Sequence, residues 1–197
     1  FAALLPWWAE VAAQSRTHLY VGEALYKVTS GVFTDPAELA NHIDLGHALP
    51  QPVHGSVYFS AKHVPADPQG AMTIVRDRHW QHPAIIPAME HLPRTDVRPP
   101  VLTPPRRTAE GVRLRWVDPG PGHRAATSFA IYRVDGAQAS IDVDDPTALL
   151  GTVRASGRGP QEWFDTTAAP SARYAYAVTA LDRIWNESAP SAVRQVR

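Results

Sequence analysis

The sequence contains no cysteine, which removes disulfides, thiolate nucleophiles and cysteine-ligated zinc from the possibilities. That absence leaves the compartment open. There is no net charge either: 19 Lys and Arg balance 19 Asp and Glu, which argues against a protein held on nucleic acid by counterion release. No apolar run approaches the ~18 residues of a membrane span. Lysine is almost missing, since Lys27 and Lys62 are the only two among the basic residues. The chain starts at Phe1 with neither an initiator Met nor a signal peptide, so it reads as a processed product or a fragment. What is present is a globular composition, 44% apolar and 19% charged over 197 residues, enough for one or two domains. Proline is abundant, 19 residues, about twice the usual share of ~5%.

Histidine and charge divide the chain. All histidines but His123 lie in residues 1–92, a stretch that is net acidic, whereas residues 93–197 are net basic. Residues 93–105 contain Pro93, Pro99, Pro100, Pro104 and Pro105, which forbid helix and favour extended backbone. This is read as a stiff linker running into a first edge strand.

The first half alternates between helix and strand. Leu4, Leu5, Trp8 and Val11 follow helical spacing. His18–Tyr26 and His54–Ser60 are short apolar runs of the kind found in buried parallel strands. Thr34-Asp35-Pro36-Ala37-Glu38 marks a helix start, and that helix runs to about His47. A last helix is expected to begin near Pro68 and to carry Met72, Ile74 and Val75, then Ile85, Ile86 and Met89, with Pro83 and Pro87 kinking or ending it. The order α-β-α-β-α is that of a parallel α/β architecture. The second half reads as strands alone: Gly111–Asp118 with Val112, Leu114 and Trp116 inward, then Phe129–Val134, Leu149–Arg154, Gln161–Asp165, Arg173–Asp182 and Ala192–Val196. Turn signals separate them at 118–122, 135–136, 145–146, 156–160 and 186–188. About seven short strands in about 100 residues suggest a disulfide-free immunoglobulin-like sandwich.

With these strands in place, the second half resembles a fibronectin type III domain over roughly residues 97–197. Val112-Arg113-Leu114-Arg115-Trp116, Ala130-Ile131-Tyr132-Arg133, the run 174–182 and Asn186-Glu187-Ser188-Ala189-Pro190-Ser191 carry the resemblance, with Tyr174 where a tyrosine-corner residue would sit. The Arg-Gly-Asp loop of the cell-attachment variant is absent. Residues 1–92 contain the motifs Leu4-Leu5-Pro6-Trp7-Trp8-Ala9, the run 19–27, Gly55-Ser56-Val57-Tyr58-Phe59-Ser60-Ala61-Lys62 and Pro83-Ala84-Ile85-Ile86-Pro87-Ala88-Met89. In that order they resemble the end of a (β/α)8 barrel of the glycosyl hydrolase-like 10 family, also called domain of unknown function 187. The resemblance implies the last two barrel strands, followed by the sandwich, with several hundred residues preceding Phe1. Two such strands alone leave an unpaired edge and large apolar faces, so residues 1–92 in isolation should be poorly stable or associate.

Barrel enzymes carry reactive groups at the C-terminal ends of their strands. Here these ends are Glu23 to Lys27 and Phe59 to Lys62, and both lysines of the chain fall there. The expected substrate-binding set is Glu23, Tyr26, Lys27, Ser60 and Lys62. Glycoside hydrolysis needs two carboxylates, and these strand segments hold one, Glu23, so a catalytic partner is expected upstream of Phe1. The resembled family more often has Gln at this place, which favours substrate positioning or a structural ion pair for Glu23 over acid catalysis. Tyr26, at a strand end, is the aromatic best placed to stack on a sugar. Tyr20, Tyr58 and Trp80 read as core, as does at least one of Trp7 and Trp8. His79 and His82 read as a solvated face, Asp142, Asp144 and Asp145 as a solvated turn, and no metal or cofactor is expected. In the sandwich, Trp116, Tyr132, Tyr174 and Tyr176 read as core and corner.

The resemblance implies a secreted or cell-envelope bacterial protein that hydrolyses glycan strands, peptidoglycan among them, with the sandwich as spacer or envelope-contact module. Two alternatives stand beside it. One is a non-catalytic carbohydrate-binding or adhesive protein, and the other a self-contained interaction protein.

Overall fold

The computed structural model describes residues 1–89, 91–120, 125–157 and 159–196. The chain is a mixed α/β molecule made of two units, residues 1–81 and 82–197. Parts of the turns expected at 118–122 and 156–160 lie outside the described residues, as does His123.

In the first unit the elements run α1 (Leu4–Ser15), β1 (Tyr20–Glu23), α2 (Tyr26–Thr29), α3 (Glu38–His47), β2 (Gly55–Tyr58), α4 (His63–Ala66) and α5 (Ala71–His79), with a short 3-10 turn at Pro68–Gly70. The two strands are parallel, as their apolar runs suggested, with Tyr20 opposite Gly55 and Glu23 opposite Tyr58. A parallel pair needs a crossover, and α3 supplies it. Leu25, Val28, Leu39, Ala40, Ala71 and Val75 form the small core.

Three readings of this half are corrected. The strands are not buried on both faces, since Tyr20 and Val57 are exposed. The last helix ends at His79, and residues 83–89 are not helical. Neither tryptophan of α1 is core: Trp7 and Trp8 are about half exposed and pack edge-on against each other, while Leu5 and Ala9 make the buried contact. Asp35 does not cap α3 itself. It accepts from the Ala37 N–H just before the helix and from the Asn41 side-chain amide within it, and the helix begins at Glu38. For α5, Asp67 reaches forward to accept from the N–H groups of Met72 and Thr73 and from the Thr73 hydroxyl. These bonds, the hydroxyl's above all, hold its carboxyl below the usual carboxylate value.

The second unit is a two-sheet sandwich. One sheet has β5 (Gly111–Val117) at its centre. On one edge β5 pairs with β3 (Val101–Leu102) and β4 (Arg106–Thr108), and on the other with β8 (Gln161–Asp165). The other sheet has the order β10 (Arg194–Val196), β9 (Tyr174–Leu181), β6 (Ser128–Asp135), β7 (Leu149–Arg154). This antiparallel arrangement is the expected fibronectin type III-like topology, and the strands coincide with the predicted ones to within about two residues. Trp116, Phe129, Ile131, Tyr176 and Val178 lie at the centre of the core between the sheets. The Tyr174 hydroxyl accepts the Ala169 N–H at 3.1 Å, closing the tyrosine corner.

A second core lies on the outer face of the β9-containing sheet, where Tyr132, Ile141, Ala148, Leu149, Ala175, Ala177 and Leu181 cluster with Ile85 and Trp185 against them. Every residue of β9 is therefore buried, on both faces. The segment preceding β3 is fastened to this unit: Met89 donates to the Ile184 carbonyl and Thr95 to the Asp182 carboxylate.

Two buried carboxylates organise the sandwich. Asp165 accepts from Arg133 Nη1 (2.7 Å), the Tyr176 hydroxyl (2.8 Å) and both the hydroxyl and N–H of Thr167, while the Arg133 guanidinium lies 4.6 Å from the centre of the Tyr174 ring. Burial alone would raise its pKa. The bonds from Thr167, Arg133 and Tyr176 outweigh burial and hold it low. Asp182 is held low in the same way by Asn186, Thr95 and Ile184. Asp142 and Asp145 accept bonds from the backbone of their own turns.

A carboxyl depressed in the folded state stabilises above its ordinary value and loses that contribution as pH falls through the depressed one. Urea unfolding of the sandwich should therefore show full stability above 3.8, the ordinary value for aspartate, and a decline below it. Asp165→Asn should lessen that acid sensitivity and cost about 3 kcal/mol at neutral pH, because Arg133 loses its partner. Gly111 has φ +130°, and a Cβ there would lie 2.1 Å from the Asp165 carbonyl oxygen, so Gly111→Ala should cost roughly 2 kcal/mol or more by the same assay.

Candidate functional site at the strand ends

Alternation along β1 and β2 gives their sheet two different faces. Tyr20, Gly22, Gly55 and Val57 share one face, and Gly55 leaves room for the Tyr20 ring. Val21, Glu23, Ser56 and Tyr58 share the other, which faces the helices: Tyr58 packs on the small core, and Val21, Glu23 and Ser56 line a cleft of about 180 Å³ with His42 and Ile43 of α3.

Glu23 is thus turned toward the helix layer. It is 2% exposed, and its Oε2 lies 2.8 Å from Nδ1 of His42. The other imidazole nitrogen faces Glu38 Oε1 at 3.3 Å, one helical turn earlier on α3. The Phe1 ring stacks on this imidazole at 3.6 Å and Phe33 meets it edge-on. The Tyr58 hydroxyl, directly across the strand pair, is buried with no hydrogen bond of normal geometry. Burial, and then the Glu23 charge, push its pKa above the ordinary tyrosine range.

The remaining expected residues are arranged around the ends of the two strands. Beyond the strands the backbone stays joined, Phe59 N–H donating to the Glu23 carbonyl and Tyr26 N–H to the Phe59 carbonyl. These bonds bring the Tyr26 ring edge-on to Phe59, with centroids 5.9 Å apart, and both aromatics are exposed. The Lys27 ammonium lies 5.5 Å from the centre of the Phe33 ring, and Lys62 is exposed at the start of α4. Neither lysine has an ion pair among the described residues. The Ser60 hydroxyl lies 3.3 Å from Nδ1 of His63, which also faces the Ser60 N–H.

Tyr26, Phe59 and Ser60 are therefore grouped at one end of the strands, and Glu23 is turned away into the helix layer. Sequence reasoning missed Phe59, His63 and His42. The signals were there in part: His63 lies three residues after Ser60, and His42 four after Glu38 on one helix face. His79 also differs from expectation. It is not solvated but tucked against α3, on the Ala40 carbonyl and the Asp44 carboxylate. At the opposite end of the strands His54 accepts the Leu19 N–H and stacks on His18 at 4.3 Å. Burial, then the His18 charge, lower its pKa.

Chemically, this strand end offers two exposed rings and a hydroxyl, with Lys27 and Lys62 close by in the sequence and Glu23 engaged by His42.

Comparison with known proteins finds two curated relatives. The chain is 31% identical over 196 residues to the protein named glycosyl hydrolase YngK of Bacillus subtilis, which spans 97% of this chain. It is homologous to a protein named as a glycosyl hydrolase. It covers 37% of that relative's length. A second relative, named glycosyl hydrolase DigH, of Escherichia coli, is 36% identical over 67 residues, 30% of this chain and 15% of the relative. A solved Fn3-like protein from Clostridium thermocellum is 23% identical, covers 52% of this chain and 93% of its own, and has a TM-score of 0.37. No family model matches the chain.

Removing His42 would leave the Glu23 carboxylate buried without a partner. His42→Ala should destabilise the first unit by about 3 kcal/mol in urea unfolding. Adding Glu23→Gln to it should recover part of the loss, because an unpaired amide costs less than an unpaired charge.

Proposed function

We propose that this chain is part of a bacterial glycoside hydrolase-like protein acting on glycan strands, peptidoglycan among them. The observation that carries the reading is the 31% identity to YngK, sustained over 196 residues and so through both units. On this reading the first unit is the last quarter of a (β/α)8 barrel, and β1 and β2 are its final strands. Their parallel pairing, the intervening helix and the exposed opposite face with Tyr20 and Val57 support that. Tyr26 and Phe59 offer apolar surface to a sugar ring, while Lys27, Ser60 and Lys62 donate to its hydroxyls. Glu23 positions the end of β1 through His42. The two carboxylates of acid/base hydrolysis come from elsewhere in the longer protein, of which the chain spans a share like its 37% of YngK. The protein acts in the cell envelope or is secreted, where such glycans lie.

One observation favours a second reading, a non-catalytic carbohydrate binder: Glu23, the carboxylate at these strand ends, is engaged by His42. Release of reducing ends from purified glycan strands by the longer protein separates the two. The hydrolase reading expects cleavage, and Tyr26→Ala should lower kcat/KM about tenfold without changing the unfolding midpoint. Binding without cleavage would establish the second reading. Absence of both would refute each.

A further inference from the structure

The outer face of the β3–β4–β5–β8 sheet carries an arrangement that folding alone does not favour. Since Val112, Leu114 and Trp116 point into the core, Arg113, Arg115 and Val117 point outward. Arg106 of β4 lies directly opposite Arg113. Like charges placed directly opposite across strands destabilise a sheet. The stabilising alternative is present next to it: Arg115 lies opposite Glu162 of β8, and Glu162 also reaches Arg113 Nε at 3.3 Å. One carboxylate thus answers three guanidinium groups, and Arg106 and Arg115 have no ion pair among the described residues. These arginines line a groove of about 440 Å³ bordered by Pro104, Val117 and Pro160.

We propose that this groove binds a polysaccharide bearing carboxylates, a polyuronate. The choice of a glycan as partner rests on the functional reading above. The carboxylate requirement comes from the groove itself. A guanidinium is a planar fork that takes a carboxylate by two parallel bonds, so arginine fits this ligand better than a spherical cation would. The proline and valine borders give apolar contact to the C–H faces of sugar rings. The attraction is local, because the chain as a whole has formal net charge +0. Three arginines against one carboxylate make a small positive patch, which suits a thin carboxylated strand better than a duplex needing many phosphate contacts.

The test is titration of the 197-residue chain with alginate, with neutral dextran and with duplex DNA at matched salt. Alginate should bind, dextran should not, and raising the salt should weaken the alginate complex. The triple variant Arg106→Gln, Arg113→Gln, Arg115→Gln should weaken it at least about tenfold. Arg106→Gln alone should weaken binding without lowering the unfolding midpoint, since it removes a like-charge neighbour. This exposed single substitution keeps the test valid even if the triple variant folds poorly. Unchanged alginate affinity in these variants, or duplex DNA bound as tightly as alginate, overturns the proposal. Failure of the hydrolase reading would appear in cleavage and in the Tyr26 variant, whereas failure of this proposal appears in the alginate titration alone.

Discussion

A carboxylate withdrawn from water must be paired, and that requirement governs the end of β1. Glu23 can be buried only because His42 meets it, and His42 can meet it only if α3 crosses the sheet where it does. Phe1 and Phe33 then close over the imidazole and keep solvent from the pair. Once the carboxylate is committed to the helix layer, the strand ends are left with aromatic, ammonium and hydroxyl groups. These groups offer hydrogen-bond donors and apolar surface, with the carboxylate of β1 held away from them.

The sandwich meets the same requirement differently. Asp165 is satisfied by Arg133, Tyr176 and Thr167, drawn from β6, β9 and the turn after β8, so the network staples the two sheets together. Asp182 ties the segment before β3 to the end of β9. Small residues on the outer side of β9, Ala175 and Ala177, let a second apolar layer approach closely. Thr179 remains tolerable there because its hydroxyl donates to Glu187 at 2.6 Å, as does that of Tyr132.

How far this was legible from the sequence differs between the halves. The strands of the sandwich were visible because β5 alternates strictly and turn residues punctuate the rest. The doubly buried β9 was not foreseen, since Ala and Thr on an outer face look the same whether covered or bare. In the first unit, the helix and strand order was readable, but Ile85 and Met89 were assigned to a helix that stops at His79. Apolar spacing alone cannot tell a helix from an extended segment packing onto a different core. The ends of two parallel strands, where the candidate site was expected, were legible as a place. The direction in which Glu23 points was not, because a strand-end residue shows in sequence neither which face it joins nor that a histidine nineteen positions later will reach it.

The interrupted first strand of the sandwich has a consequence beyond its own pairing. β3 and β4 lie on one edge of β5 with Pro104 and Pro105 between them. A bare sheet edge is a template on which another chain can add a strand, and such growth repeats into filaments. Neither proline has an N–H to offer an incoming strand, and the break shortens each remaining stretch to two or three residues. The proline-rich entry to this domain is therefore also its guard against polymerising edge to edge, a safeguard suited to a sandwich without disulfides.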